Sequence, residues 1–371
     1  MFIRKRARAG IIAAICAVAV TVTAGAVGCA KKGGQGGTAV SYLSAESRVY
    51  SSTAEVVSAV ADSVVEISTE SVTTQWGKQY IVSGAGSGVI VGKGEGVYYI
   101  VTNNHVIEGA KNITVKTRGG AGYDAELIAT DDSCDIAVIK ISTADSLSVA
   151  VWGDSDSLQI GEDLIAIGNP LGSLGGTVTK GILSATGRTI EVGNFAMTLL
   201  QTDTAINPGN SGGGLFNMRG ELIGVVNAKT TDEEIEGICF AIPANKARSV
   251  YNDLMEYGYI RGRATFNISV ADGSISGGGI NTQARSIVYV TEAEGAAAGT
   301  FAQYDRIYSV NGEEVSSTLQ LNKALAKISV GEKVKVAVYR GSLTQGIWGG
   351  NSISFSSELT EFTVTAAQYG A

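Results

Sequence analysis

The chain is expected to be mainly β. Three observations predict this: 49 glycines against only three prolines in 371 residues, short Val- and Ile-rich runs recurring along the chain, and glycine-rich turns such as Gly92-Lys-Gly-Glu-Gly96 between them. Strands are expected at 64–67, 88–91, 98–102, 113–116, 136–141, 175–182 and 190–200, then at 286–290, 306–310 and 333–339. Short strands at that spacing suit a sandwich or a barrel. Two helices interrupt them. One is expected at 245–257, the other at 317–328, where Leu321, Ala324, Leu325 and Ile328 share one face.

The chain opens differently. Arg4, Lys5, Arg6 and Arg8 precede an apolar run through Ala30, with no acid among them, so residues 1–30 read as a membrane-directed segment that sends the rest out of the cytoplasm. The run is long enough for a spanning helix. Ala26-Val-Gly-Cys29 also suits a lipoprotein cleavage box, but Ala26 stands where Leu is usual, which favours the helix. Residues 31–52, with Gly33-Gly-Gln-Gly-Gly37, read as a flexible linker. Removing residues 1–28 takes the formal charge from −7 to −11, because four cations and no acid leave with them. An acidic body of this kind argues against nucleic acid as a partner.

Two cysteines, Cys134 and Cys239, remain in the body. They form neither a disulfide framework nor a zinc site, and two buried thiols are expected, with a single bridge as the alternative. The acids Asp154, Asp156, Glu162 and Asp163 do not follow calcium-loop spacing. No metal or cofactor is expected. Gly84-Ala-Gly-Ser-Gly88 invites a dinucleotide reading, but the helix such a loop needs does not follow it.

The chemistry concentrates at Ser211, set in Gly209-Asn-Ser-Gly-Gly213, where glycines let the backbone bend and bring amides towards whatever the hydroxyl attacks. A serine hydroxyl needs a base. The chain holds one histidine, His105, and Asp135 opens an apolar strand-like run thirty residues later. The order is His, Asp, Ser. That order resembles the trypsin-fold serine peptidases. Five motifs resemble the HtrA branch in particular: Thr102-Asn-Asn-His-Val106, Asp135-Ile-Ala-Val-Ile-Lys140, Ile167-Gly-Asn-Pro-Leu-Gly172, Thr202-Asp-Thr-Ala-Ile-Asn-Pro-Gly-Asn-Ser-Gly-Gly213 and Phe240-Ala-Ile-Pro243.

The resemblance implies a chymotrypsin/trypsin-like double β-barrel over residues 53–260, with 151–168 crossing from the first barrel to the second. His105, Asp135 and Ser211 would be catalytic, and the backbone N–H groups of Gly209 and Ser211 would form the oxyanion hole. Ala205 would floor a substrate pocket walled by Val225, Val226, Asn227, Ala228, Phe240, Ala241 and Ile242, apolar and suited to small or medium aliphatic residues. Glu294-Gly-Ala-Ala-Ala-Gly299 and Asp305-Arg-Ile-Tyr-Ser-Val-Asn-Gly312 resemble a PDZ domain over 261–371, with Phe266, Asn267 and Ile268 in its peptide-carboxylate loop. Asn267 replaces the usual glycine there, and asparagine tolerates the positive φ required. Trp348 falls in an enlarged hairpin over 341–357.

Taken together, a membrane-tethered extracytoplasmic serine endopeptidase is expected, acting on unfolded or regulatory proteins and binding C-terminal peptides; the family implies a homotrimer. A weakly catalytic chaperone or peptide-binding protein on the same scaffold is the alternative. His105 must be neutral to accept a proton, so activity should fall in acid.

Overall fold

The computed structural model describes residues 49–75, 78–169, 176–207, 209–228, 237–275, 284–345 and 351–370. The anchor segment and most of the linker therefore lie outside the described residues, as does Trp348. Among the described residues no helix is long and apolar enough to cross a membrane.

Helix α1 (Thr53–Val60) leads in, capped by the Ser52 side chain, which accepts from the Glu55 N–H. Six strands then close a barrel: β1 (Val64–Gln75), β2 (Lys78–Lys93), β3 (Val97–Thr102), β4 (Asn112–Lys116), β5 (Gly122–Asp131) and β6 (Ile136–Ser142), in the order β1-β2-β3-β6-β5-β4. The four-residue helix α2 (Asn104–Ile107) follows β3.

The second body comprises β7 (Val151–Trp152), β8 (Asp163–Gly168), β9 (Thr177–Val192), β10 (Phe195–Thr202), β11 (Gly214–Asn217), β12 (Glu221–Asn227) and β13 (Cys239–Pro243). They run β11-β8-β9-β10-β13-β12-β7, and because β11 also pairs with β12, six of them close on themselves. The single strand expected at 190–200 is instead the tip of a hairpin. Gly193, at φ 57, turns the chain between β9 and β10, a conformation glycine adopts at little cost.

Alternation along the strands explains why they read as unbroken apolar runs. In β3, Tyr98 and Ile100 fill the first barrel while Tyr99 and Val101 face outwards. In β6, Ala137, Ile139 and Ile141 point in, and Ile136 and Val138 point out. Likewise Leu164 and Ala166 fill the second barrel while Ile165 and Ile167 leave it. The outward sets meet in one shared core with α1 and α3 (Ala244–Tyr257), so both faces of these strands are dry. Each fully buried Ile, Leu or Val contributes about 1.5–3 kcal/mol relative to exposure, and the shared core thereby fixes one barrel against the other. Helix α3 ends at Gly258, φ 79, whose N–H returns to the Leu254 carbonyl.

Beyond α3, the short β14 (Ala264–Thr265) pairs with the final β21 (Ala367–Gln368). Between them lie β15 (Ile268–Ile275), β16 (Arg285–Ala293), β17 (Arg306–Val310), β18 (Glu313–Glu314), α4 (Thr318–Leu325), β19 (Lys333–Gln345) and β20 (Asn351–Thr365). The sheet order is β15-β16-β17-β19-β20, which leaves β15 at an edge. Its core is separate, built on Val288, Val290, Ile307, Val336, Val338 and the stacked Phe266 and Phe301. Ser317 caps α4 through the Gln320 N–H, and the helix stops three residues short of the expected Ile328.

Candidate active site

Three segments bring the site together. Helix α2 carries His105, the turn entering β6 carries Asp135, and the loop between β10 and β11 carries Ser211. Asp135 adopts a left-handed conformation, φ 50, which Asp tolerates better than most residues. Its carboxylate accepts from the His105 backbone N–H at 3.0 Å through Oδ1, and its Oδ2 lies 2.7 Å from His105 Nδ1. The opposite ring nitrogen, Nε2, is 3.1 Å from Ser211 Oγ.

The tautomer follows from these partners. A carboxylate only accepts, so Nδ1 carries the proton and Nε2 is left to accept from the serine hydroxyl. The Asp135 carboxylate is 4 % exposed and the His105 ring 22 %, which shelters the anion and leaves the imidazole partly open. Asn103 ties the same turn down by donating to the Asp135 carbonyl at 3.0 Å.

The serine loop is held by backbone and by one buried hydroxyl. Gly209 (φ 99) and Gly212 (φ 81) take conformations that a side chain would strain. Asn210 N–H donates to the Asn207 carbonyl at 3.0 Å, and Gly212 N–H to the Val226 carbonyl at 3.0 Å. Ser87, fully buried on β2, donates its hydroxyl to the Gly209 carbonyl at 2.6 Å and accepts from Asn169 N–H at 2.8 Å. Its own N–H donates to the Ser211 carbonyl at 2.8 Å. Thus the Gly84–Gly88 run serves as the brace of the serine loop. The signal was a serine among glycines on a strand.

Residues 86–225 match the family model described as the trypsin-like peptidase domain, and residues 277–347 match the PDZ domain. The "Serine protease Do-like HtrA" of Bacillus subtilis (strain 168) is 38% identical over 278 residues, covering 70% of this chain and 61% of that protein. A solved structure titled "HtrA-type protease AlgW with decapeptide" is 30% identical at a TM-score of 0.55, covering 86% of this chain and 99% of that one.

The chain belongs to the HtrA family of trypsin-like serine proteases. The "Periplasmic pH-dependent serine endoprotease DegQ" of Escherichia coli (strain K12) is 36% identical over 293 residues, 78% of this chain and 64% of that protein. The chain thus spans under two thirds of the length of both curated relatives.

Against this HtrA-family frame, most of the expected pocket wall is not exposed. Val225 and Ile242 pack in the core shared by the two barrels, Val226 and Ala241 inside the second barrel, and all four are at most 1 % exposed. The reason is that β12 and β13 are paired strands covered on both faces. Asn227 is buried as well, and its amide donates to Asp135 Oδ2 at 2.9 Å. Phe240, opposite Asn227 in the ladder, is 8 % exposed, and Ala205 is exposed. Ala228 N–H donates to Ser211 Oγ at 3.3 Å, which brings that backbone beside the serine hydroxyl.

In the second domain, Phe266 is buried, Ile268 is half-buried, and Asn267 has φ 53. Its N–H is occupied by Thr265 Oγ1 at 3.0 Å. Asp272 of β15 accepts from both the N–H (2.6 Å) and the hydroxyl (2.8 Å) of Thr318, so one carboxylate spans the gap between edge strand and helix. Cys134 and Cys239 are free thiols, the former half-buried and the latter buried. Among the described residues no cluster of His, Cys, Asp and Glu could hold a metal.

Proposed function

We propose that this chain is a membrane-tethered, extracytoplasmic serine endopeptidase, with residues 53–260 forming the protease and 261–371 a peptide-binding PDZ domain. The observation that carries the catalytic part is the relay Asp135 Oδ2, His105 Nδ1, His105 Nε2, Ser211 Oγ, at 2.7 and 3.1 Å. Ser211 Oγ attacks the scissile carbonyl as His105 takes its proton; Asp135 holds the ring and stabilises the imidazolium. His105 then protonates the leaving amine. Gly209 and Ser211 N–H groups supply the oxyanion donors, each worth about 3–4 kcal/mol in the transition state.

Substrates are unfolded or regulatory proteins, cleaved after small or medium aliphatic residues. Of the expected pocket residues, exposed Ala205, half-buried Ala228 and Phe240 are the ones left to receive such a side chain. The membrane-directed segment read at residues 1–30 and the periplasmic relative support the location. Phe266, Asn267 and Ile268 receive a peptide carboxylate, which requires Thr265 to release the Asn267 amide. Assembly as a homotrimer rests on the family alone.

A serine-directed fluorophosphonate followed by peptide mapping tests the nucleophile: modification at Ser211, lost in Ser211→Ala, is the expected result. Label elsewhere would reassign the site. Incubation with unfolded casein separates the enzyme from a silent binder on the same scaffold. A folded chain that leaves casein intact is the binder.

A further inference from the structure

Asp135 sits in a turn whose geometry depends on a residue far away in the chain. Asp131, the last residue of β5, has a side chain 2 % exposed. Its Oδ1 accepts from Cys134 N–H at 2.9 Å and from Ser133 Oγ at 2.6 Å, so this one carboxylate holds the turn that delivers Asp135 in its left-handed conformation. A carboxylate buried to that degree needs a countercharge. It comes from Arg263, whose Nη1 is 2.5 Å from Asp131 Oδ2 and also bonds Ser133 Oγ.

Arg263 is not part of either barrel. It immediately precedes β14, which pairs with β21, and its guanidinium lies 3.8 Å from the ring centroid of Tyr369 just after β21. Tyr369 N–H also donates to the Arg263 carbonyl at 2.8 Å. The arginine is therefore oriented by the first and last strands of the second domain while its charge is spent on the first barrel.

We propose that Arg263 is a positioning residue for Asp135: by neutralising Asp131 it sets the 131–135 turn, and it makes the seating of β14 and β21 a condition of the catalytic relay. This rests on the triad reading above. The action is through Asp131, without contact to substrate.

The test uses the intact chain and its single histidine, labelled with nitrogen-15, so that one imidazole is seen. In the parent protein the Nδ1 proton shared with Asp135 should resonate far downfield. In Arg263→Gln that resonance is expected to move upfield or to be lost to exchange, with kcat on a short peptide reduced about 10- to 100-fold and KM held within about twofold. Arg263→Lys, which keeps the charge but gives up the planar stack on Tyr369, should recover part of the loss. So should the double variant Asp131→Asn with Arg263→Gln, because the amide oxygen still accepts from Cys134 while no buried charge is left alone.

An Arg263→Gln protein with parent kcat and an unmoved resonance overturns the proposal, even if its melting temperature falls. Equal kcat in the single and double variants overturns it as well. Should Arg263→Gln fail to fold, the lysine and double variants carry the comparison. Failure of the triad reading itself is recognised separately, by fluorophosphonate label away from Ser211 in the parent.

Discussion

Asn227 donates its side-chain amide to the same oxygen of Asp135 that accepts from His105, at 2.9 Å against 2.7 Å for the imidazole. The carboxylate is thus held from two sides, and Oδ1 is taken by the His105 backbone. Asn227→Ala removes a bond to a buried anion, an interaction worth about 1.5–3 kcal/mol. Peptidase kcat should fall about tenfold with KM little changed, and Asn227→Asp, which sets a second carboxylate against the first, should fall further. Parent kcat in both would show that Asn227 does not orient Asp135.

Gly212 lies in close steric contact with the Ser87 backbone at the serine loop, which the Ser87 hydroxyl braces through Gly209. A Cβ on Gly212 would collide with the Ser87 carbonyl oxygen, and φ there is 81°. Gly212→Ala is expected to abolish activity and to cost several kcal/mol of stability on the order expected for such a clash plus strain. Ser87→Ala is gentler. It leaves the Gly209 carbonyl without its donor, so kcat should drop about tenfold while the fold survives. Thermal unfolding beside steady-state kinetics distinguishes the two; an active, stable Gly212→Ala would refute the crowding.

Burial pushes both thiols up from their ordinary range, aided at Cys134 by the charge of Asp131 and opposed there by Lys246 and Arg263. Thiolate is the reactive form, so at neutral pH both should alkylate more slowly than free cysteine and speed up as pH rises. Because the folded state favours the protonated thiol, their contribution to stability is complete below the unfolded thiol's pKa and is lost as pH climbs through the raised folded value. Timed alkylation of native and urea-unfolded protein is the check. Rapid stoichiometric labelling of the native chain at pH 7 would contradict the burial.

The carboxylate of Asp272 joins β15 to the start of α4 four residues beyond Ile268. A peptide added along the edge of β15 meets this bridge once it extends past its last few residues. Asp272→Ala should therefore tighten binding of a decapeptide more than that of a tripeptide. Fluorescence anisotropy with both lengths decides, and an equal change for the two would count against a bridged groove.

The residues that the structure brings together were legible in the sequence more fully than the scaffold around them. One histidine and one glycine-framed serine leave little freedom in proposing a base and a nucleophile. The roles of Asn227 and Ser87 were not legible, because each acts through a contact over a long sequence separation, 92 residues to Asp135 and 122 to Gly209. The pocket failed for another reason: Val225, Val226, Ala241 and Ile242 lie on strands covered on both faces, and an apolar residue looks the same in sequence whether it lines a cleft or fills a core. Strand positions in the barrels were readable from their apolar runs, whereas the β9–β10 turn at Gly193-Asn194 was hidden inside one. Local chemistry is written in order along the chain; register and burial are set by partners elsewhere.

The left-handed backbone at Asp135 also bears on how this protein could change over generations. At φ 50 the position admits glycine, asparagine and aspartate far more readily than residues with branched side chains. Of these, asparagine is one base away from aspartate in the genetic code and keeps both the turn and nearly the same shape, but it offers the imidazole the wrong partner. Descent from this chain to a folded relative without the proposed peptidase activity is thus a single short step, and return is equally short. A lineage could shed and regain that proposed activity at this codon without rebuilding any part of either barrel.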